Sequence, residues 1–182
     1  MKKITLNYVH TSRTEKATKK SWKTLSFGKN KSPLNVFAEY TDLEFAKISE
    51  GFIPVDMEDK WFIYMEDDTL WCHRSWTGQW IFEARFVKDG DKYAVKETFT
   101  AKLKDENDEK AKTYLGRMLL FLINAILLGK DAVPPEMEGN KQNPAETFCE
   151  RFHLYGFQGV GKWELDSIEE VMKEIKEKRD KQ

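Results

Sequence analysis

The chain has 182 residues, of which 40% are hydrophobic and 34% are charged, and this composition is typical of one folded domain of ordinary size. Its six Trp and twelve Phe residues exclude a chain that stays disordered, because disordered chains are poor in aromatic side chains. The formal net charge of −1 gives no global argument for binding to nucleic acid or to a membrane surface. We predict a single domain over residues 1–182, in which residues 1–32 form a basic and partly mobile N-terminal segment.

Charge is distributed unevenly along the first 70 residues. Met1–Ser32 contains nine Lys or Arg and one acid, whereas Glu39–Leu70 contains ten acids and two lysines. Our preferred interpretation is that the two segments are solvated surfaces that attract each other across the fold. The alternatives are a basic arm that binds phosphate and an acidic surface that faces a basic protein partner.

The cysteines and the apolar segments indicate the cellular compartment of the protein. Cys72 and Cys149 form neither a CxxC pair nor a zinc-ligand pattern, so we expect no metal and no cofactor. The start, MKKITLNYVH, has no apolar run behind its lysines and does not predict a signal peptide. Residues 118–128 are the most apolar segment, and they are shorter than the ~20 residues that a membrane span needs. Two thiols without a leader predict the cytoplasm, a reducing compartment.

The N-terminal third contains few predicted elements. Residues 4–9 form a candidate strand, and the compact part is expected to begin at Pro33. A short helix is predicted over residues 41–50, because Thr41 and Glu44 form a capping-box pattern. Gly51 is the expected stop of this helix.

The middle of the chain predicts an antiparallel β-meander. Short connections at Asp67-Asp68 and at Lys88–Asp91 join neighbouring strands, and Asp-Gly is a strong hairpin signal. The predicted strands are Trp61–Glu66, Thr69–Trp76, Gln79–Val87 and Lys92–Thr100.

Helices are predicted for the last part of the chain. Apolar residues at three- and four-residue spacing indicate a long helix over 105–128, capped by Asp105 or Asn107 and ended by Gly129. We expect this helix to lie across one face of the sheet, which gives an α+β fold. Residues 145–152 are predicted as a short helix or strand, and residues 166–178 as a terminal helix.

The segment from Trp71 to Trp80 carries most of the chemistry in the sequence. A three-residue loop with Gly78 in the left-handed conformation would pair Ser75 with Gln79. This register places Arg74 on the same face as Leu70, Cys72, Trp76, Trp80, Phe82, Ala84 and Phe86. A shorter turn would reverse the faces, and His73 would then join the aromatic residues.

An Arg beside Trp residues has two interpretations. Arg74 can form an internal ion pair with an acid from residues 56–68, with the Trp residues in the core. Alternatively, its guanidinium can bind a phosphate while a Trp stacks on a base. The same segment offers His73 as a general base next to Ser75, although the sequence shows no third group to orient them. The predicted ligand-binding residues are His73, Arg74, Ser75, Trp76, Thr77 and Trp80.

Two further motifs are weaker. Residues 156–162 match G-x-x-x-x-G-K, but Trp163 follows where a P-loop needs Ser or Thr, and the next helix signal begins only at Asp166. The acids of residues 56–68 fit no calcium-loop spacing, so solvated turns are the preferred interpretation.

Residues 55–62, VDMEDKWF, together with residues 73–78, HRSWTG, resemble an uncharacterised family of small bacterial proteins. Members of that family sometimes occur next to, or fused with, ADP-ribosylglycohydrolase domains. The resemblance covers residues 50–90 and implies a role in NAD-derived nucleotide metabolism or signalling. It supplies no catalytic residues. The chain does not resemble the ADP-ribosylglycohydrolase domain itself, which is a larger, all-helical metal enzyme.

Our leading hypothesis is a small cytosolic protein that binds an ADP-ribose-like or other phosphate-bearing nucleotide. Arg74 would hold the phosphate, Trp76 or Trp80 would stack on the base, and His73 and Ser75 would add hydrogen bonds. Whether a reaction follows is left open. The alternatives are an immunity or inhibitor protein that uses the acidic 39–70 surface, and a nucleic-acid binder that uses the basic N-terminal arm.

Overall fold

The computed structural model describes residues 15–25, 30–55 and 59–132, together with Pro135 and Leu154. All of the elements below lie in one compact unit, Ser12–Pro135. The other unit comprises Met1–Thr11 and Glu136–Gln182 and, except for Leu154, lies outside the described residues. The single domain over 1–182, the strand at 4–9 and the elements predicted after residue 135 therefore stay predictions.

The described elements include one antiparallel sheet of six strands. Its order is β1-β6-β5-β4-β3, and β2 also pairs with β6, so the sequential strands β3 to β6 form a meander. The α+β class with an antiparallel sheet is thus confirmed. The strands are β1 Lys31–Leu34, β2 Glu39–Thr41, β3 Trp61–Glu66, β4 Thr69–Arg74, β5 Trp80–Asp89 and β6 Lys92–Ala101.

Two of the hairpin turns, those after β3 and β5, fall where the sequence predicts them. Asp67 and Asp68 both have positive φ, 49° and 57°, and they connect the paired residues Glu66 and Thr69. Positive φ at both central positions is the signature of a type I′ turn, whose twist matches that of the flanking strands. Gly90, with φ of 62°, begins the two-residue turn between β5 and β6.

Strands β1 and β2 were not predicted from the sequence. Both pair with the outer edge of β6, β1 opposite residues 98–101 and β2 opposite residues 92–94. They are only four and three residues long, and β1 contains Pro33, which is tolerated because this is an edge strand. Short segments of this kind carry too little alternation to be recognised from sequence.

Helix α1, Asp42–Glu50, has the predicted capping box. The Thr41 hydroxyl accepts a hydrogen bond from the Glu44 amide, and the Glu44 carboxylate accepts one from the Thr41 amide. Gly51 ends the helix with φ of 70°. From there Phe52 exchanges two backbone hydrogen bonds with Ile63 of β3, so the end of α1 is fixed against the sheet.

A helical stretch is present within the predicted range 105–128, but it begins four residues later than predicted and its last part is not α-helical. Helix α2 spans Glu109–Phe121, and a π-helix, Leu122–Leu127, follows it. Asp108 is the cap, because its carboxylate accepts from the Ala111 amide, while the Asp105 carboxylate accepts from the Asn107 amide in a turn before the helix. Gly129 has positive φ, 67°, as expected after a helix. That a long helix lies across one sheet face stays a prediction.

Strand β3 is buried on both faces. Trp61 and Ile63 point to one side and Phe62 and Tyr64 to the other, and all four are at most 2% exposed. Residues 15–25 cover the second side, where buried Ala17 and the partly buried Trp22 pack against Phe62, Tyr64 and Ile53. We call residues 15–25 the docked segment. The basic N-terminal region thus contributes apolar side chains to the core.

We expect Gly51→Ala to destabilise the fold by roughly 2–4 kcal/mol, since it combines left-handed strain with a clash. A Cβ at this position would clash with the Ile63 carbonyl oxygen and would lie 2.8 Å from the Ala17 Cβ. Urea denaturation measures the loss. Gly90→Ala is the matched control: it has a similar φ but nothing within 4 Å, so it should cost only about 1–2 kcal/mol. Equal losses in both variants would contradict the close approach at Gly51.

Candidate functional site

The predicted register of β4 and β5 is confirmed from Thr69 to Cys72, which pairs with Phe82. The prediction was wrong beyond that point, because a bulge shifts the pairing between Cys72 and His73. His73 therefore pairs with Trp80, and Arg74 donates its amide to the Gln79 carbonyl. The predicted pairing of Ser75 with Gln79 is thus replaced by a longer connection, residues 75–78, which we call the Ser75–Gly78 turn. Gly78 has φ of 74°, the left-handed conformation predicted for it.

His73 and Arg74 have different surroundings, because successive residues of a strand point to opposite faces of the sheet. Arg74 pairs with Trp61 of β3, and its Cζ lies 5.0 Å from the centre of the Trp61 ring. His73 pairs with Phe62 on the opposite side, and its ring stacks on Tyr64 at 5.7 Å. The sequence left two alternatives open, in which either Arg74 or His73, but not both, lies among aromatic residues. Because β3 is aromatic on both faces, both residues have aromatic neighbours.

His73 is buried, with 2% of its surface exposed. Its Nδ1 lies 2.9 Å from the Gly78 carbonyl oxygen, which can only accept, so Nδ1 carries the proton. Within the described part of the chain, the buried Nε2 has no hydrogen-bond partner. Burial lowers the pKa of His73, the Gly78 bond raises it, and the charge of Lys19 lowers it; the net effect is a lowered pKa. His73 is therefore neutral at pH 7.

Ser75 is buried and holds three parts of the chain together. Its hydroxyl donates to the Asp59 carbonyl, and its amide donates to the Lys60 carbonyl. Its own carbonyl accepts from Trp22 Nε1 at 2.8 Å. The Ser75 hydroxyl is thus committed to a backbone oxygen. This arrangement does not make a nucleophile–base pair with His73.

The Gly78 carbonyl is a second group that joins separate parts of the chain by hydrogen bonds. It accepts from His73 Nδ1 and also from the Leu25 amide, at 2.8 Å. Lys23 lies alongside, with its carbonyl 3.1 Å from the position that a Gly78 Cβ would occupy. The docked segment is therefore attached to the Ser75–Gly78 turn through two separate carbonyls, those of Ser75 and Gly78.

The remaining predicted residues divide between the surface and the core. Trp76 is 55% exposed, and the Lys60 Nζ lies 4.8 Å from the centre of its ring. Thr77 is exposed, and its hydroxyl accepts from the Gln79 amide. Trp80 is only 4% exposed and cannot present its ring to a ligand without rearrangement. The predicted set is thus split into an outer group, Arg74, Trp76 and Thr77, and an inner group, His73, Ser75 and Trp80.

Sequence reasoning missed three residues at this end of the sheet. Lys60 contacts Trp76, Trp61 contacts Arg74, and Trp22 binds the Ser75 carbonyl. The hairpin pattern could have indicated Lys60 and Trp61, because residues 60 and 61 face residues 75 and 74 across the β3–β4 pair. Nothing local in the sequence indicates Trp22, which is 53 residues away from its partner.

Several acidic residues of the 39–70 segment form ion pairs within the fold. Glu39 contacts Lys92, Asp42 contacts Lys88, and Glu44 contacts Lys130. Hydrogen bonds from Lys130 and from the Thr41 amide hold the pKa of Glu44 at about 2. Asp59 is buried and accepts from the Val55 amide. The expected attraction between the basic and acidic segments appears in one described pair, Lys19 with Glu66 at 3.9 Å.

Three further points about the described residues concern a metal site, a reactive thiol and a membrane-spanning helix. No group of three or more His, Cys, Asp or Glu within them is arranged to hold a metal ion. Cys72 is completely buried, and burial raises the pKa of its thiol well above the usual range. No helix in the described part is long and apolar enough to cross a membrane. Cys149, the acids at 56 and 58 and the G-x-x-x-x-G-K segment lie outside the described residues.

No protein-family model, curated protein or solved structure matches this chain. The resemblance carried by residues 55–62 and 73–78 therefore stays a hypothesis.

We expect the free energy of unfolding to fall as pH drops below about 6.5, because the unfolded His73 then binds a proton more readily than the buried one. The stability that His73 contributes is fully present above that pH, because the pKa of His73 is lower in the folded protein than in the unfolded chain. Urea denaturation at several pH values measures it. The chain has two other histidines, His10 and His153, so the comparison is with His73→Asn, in which the amide can still donate towards Gly78. An unchanged pH slope in that variant would contradict the assignment.

We expect Trp22→Phe to cost about 1–2 kcal/mol, since it removes the donor to the Ser75 carbonyl and leaves that group unsatisfied. The docked segment should also become more sensitive to trypsin at Lys20 and Lys23. Trp76→Phe is the matched control because this ring is more than half exposed. Similar trypsin sensitivity in the two variants would show that the Trp22 bond does not hold the segment.

Proposed function

We propose that this protein binds a phosphate-bearing nucleotide, of which ADP-ribose is the first candidate, on the surface formed by Lys60, Arg74 and Trp76. The observation that carries the proposal is the placement of two cations over two indole rings at one end of the sheet. Lys60 lies over Trp76, and Arg74 lies over Trp61. Cations beside an accessible aromatic ring match a ligand that combines phosphate with a base.

Trp76 supplies the stacking surface in this proposal. It is 55% exposed, so a base can reach the ring without unfolding the protein. Stacking of a base on an aromatic side chain is worth about 1–3 kcal/mol and tolerates different bases. Trp80, which the sequence offered as the alternative ring, is excluded from this role by its burial.

Arg74 supplies the phosphate contact together with Lys60. The guanidinium lies over the ring of Trp61, which is 2% exposed and therefore fixed in position. A guanidinium held in this way loses little side-chain entropy on binding, and its fork geometry matches two phosphate oxygens. Lys60 adds a second positive charge from the other side of the same β3–β4 junction.

His73 and Ser75 support the site from inside. Their polar atoms bind the carbonyls of Gly78 and Asp59, and both side chains are only 2% exposed. We assign them to positioning of the turn that carries Trp76, and we propose binding without a bond-breaking step. The interaction-module alternative is less favoured, because Glu39, Asp42 and Glu44 are already paired with lysines of this chain.

We expect ADP-ribose, NAD, AMP, ATP or a cyclic nucleotide to raise the thermal stability of the protein, and inorganic phosphate alone to do so less. A ligand at about 100 times its dissociation constant stabilises by roughly 2.7 kcal/mol. Trp76→Ala and Arg74→Ala should each weaken binding about tenfold or more in calorimetry. Trp76 is the safer substitution, because its exposure makes unfolding of the variant improbable on physical grounds.

Lys88→Ala is the matched control for this experiment. Lys88 lies 5.3 Å from the centre of the Tyr93 ring at the far end of β5 and β6, so it has the same kind of contact away from the proposed site. Its removal should leave nucleotide affinity unchanged. Absence of a stability shift with every nucleotide, or an equal loss in the Lys88 control, would refute the proposal.

A further inference from the structure

The docked segment brings exposed lysines towards the turn that carries Trp76. It runs along β3, from Ala17, whose amide binds the Glu50 carbonyl, to Leu25, whose amide binds the Gly78 carbonyl. Between these points Lys19 reaches Glu66 and Trp22 reaches Ser75. The order of these contacts places the end of the segment, residues 22–25, beside the Ser75–Gly78 turn.

Lys20 and Lys23 lie in the part of the docked segment between Lys19 and Leu25. Both are exposed, and within residues 15–25, 30–55 and 59–132 neither has an ion pair. In contrast, Lys88, Lys92 and Lys96 on the opposite side of the fold each contact a carboxylate. Of Lys20 and Lys23, the latter lies beside the turn that carries Trp76, since its carbonyl is next to Gly78.

A chain of phosphates fits this arrangement better than one nucleotide does. Lys60 and Arg74 already account for the phosphate of a mononucleotide in the proposed site. Lys20 belongs to a turn in which the Ser21 amide donates to the Thr18 carbonyl, and Lys23 follows it three residues later beside Gly78. The two lysines therefore add positive charge on the approach to the Ser75–Gly78 turn. Exposed positive charges near an accessible indole ring are typical of surfaces that bind the backbone of a single-stranded nucleic acid.

We propose that the natural ligand class is single-stranded nucleic acid, with one base stacked on Trp76 and the neighbouring phosphates held by Lys20 and Lys23. This inference rests on the proposed function for the stacking residue and adds the polymeric nature of the ligand. A single strand is specified because an indole on a turn can stack only on a base that is not enclosed in a duplex.

Fluorescence anisotropy with a labelled oligo-dT of about 12 nucleotides tests the inference, a length within the usual site size of such surfaces. Binding of the full-length protein should be measured at several salt concentrations. We expect Lys20→Gln/Lys23→Gln to lower the slope of log affinity against log salt by about 1.4, because each phosphate contact contributes about 0.7 for a single strand. Its affinity for oligo-dT should fall several-fold, and its affinity for AMP should not change.

Lys92→Gln/Lys96→Gln is the control, since it removes the same charge from exposed lysines on the opposite side. It should leave the salt slope unchanged. Unlabelled duplex of the same length should compete poorly, and Trp76→Ala should weaken oligo-dT binding.

The outcomes separate this inference from the proposed function. Binding of a mononucleotide without tighter binding of oligo-dT would overturn the inference and leave the proposed function intact. Oligo-dT binding that depends on Lys20 and Lys23 without mononucleotide binding would uphold the inference and refute the mononucleotide proposal. No oligo-dT binding, an equal slope change in the Lys92/Lys96 control, or equal competition by duplex would each overturn the inference.

Discussion

The carbonyl oxygen of Gly78 is the point on which this end of the molecule depends. It accepts one hydrogen bond from the His73 ring and one from the Leu25 amide, and so joins a strand, a turn and the docked segment. The left-handed conformation of Gly78 directs the chain into this position. A carbonyl with both lone pairs used in a buried setting is costly to separate from its partners. The exposed indole of Trp76 is consequently presented by a turn whose backbone is fixed on both sides.

The second constraint is the two-sided burial of β3. An edge strand with Trp61 and Ile63 on one face and Phe62 and Tyr64 on the other needs a cover on each face. The docked segment supplies one of them with Ala17 and Trp22, although most of its other residues are polar or charged. The same eleven residues thus serve the core through two apolar side chains and present lysines to the solvent. Stability and the proposed recognition of phosphate are therefore coupled through a single stretch of chain.

The sequence predicts the features of this fold that are encoded locally. Strand β3, the hairpin at Asp67-Asp68 and the capping box of α1 are all determined by residues within a few positions of one another. The bulge at His73 was not predictable, because it depends on how Ser75 and Gly78 meet residues 59–60 and 22–25 from distant parts of the chain. For the same reason the composition of residues 71–80 does not show which of its side chains reach the surface. Distinguishing exposed Trp76 from buried Trp80 requires the tertiary contacts.

The pairing of β1 and β2 with β6 has a consequence for the behaviour of the chain in solution. Together they cover much of the outer edge of a ten-residue strand, and Pro33 in β1 withholds one amide from any further strand. A proteolytic fragment that begins after Thr41 would lose both covers and expose the backbone of β6. Open edges of this length template pairing between molecules. The two shortest strands of the sheet thus protect the protein against aggregation.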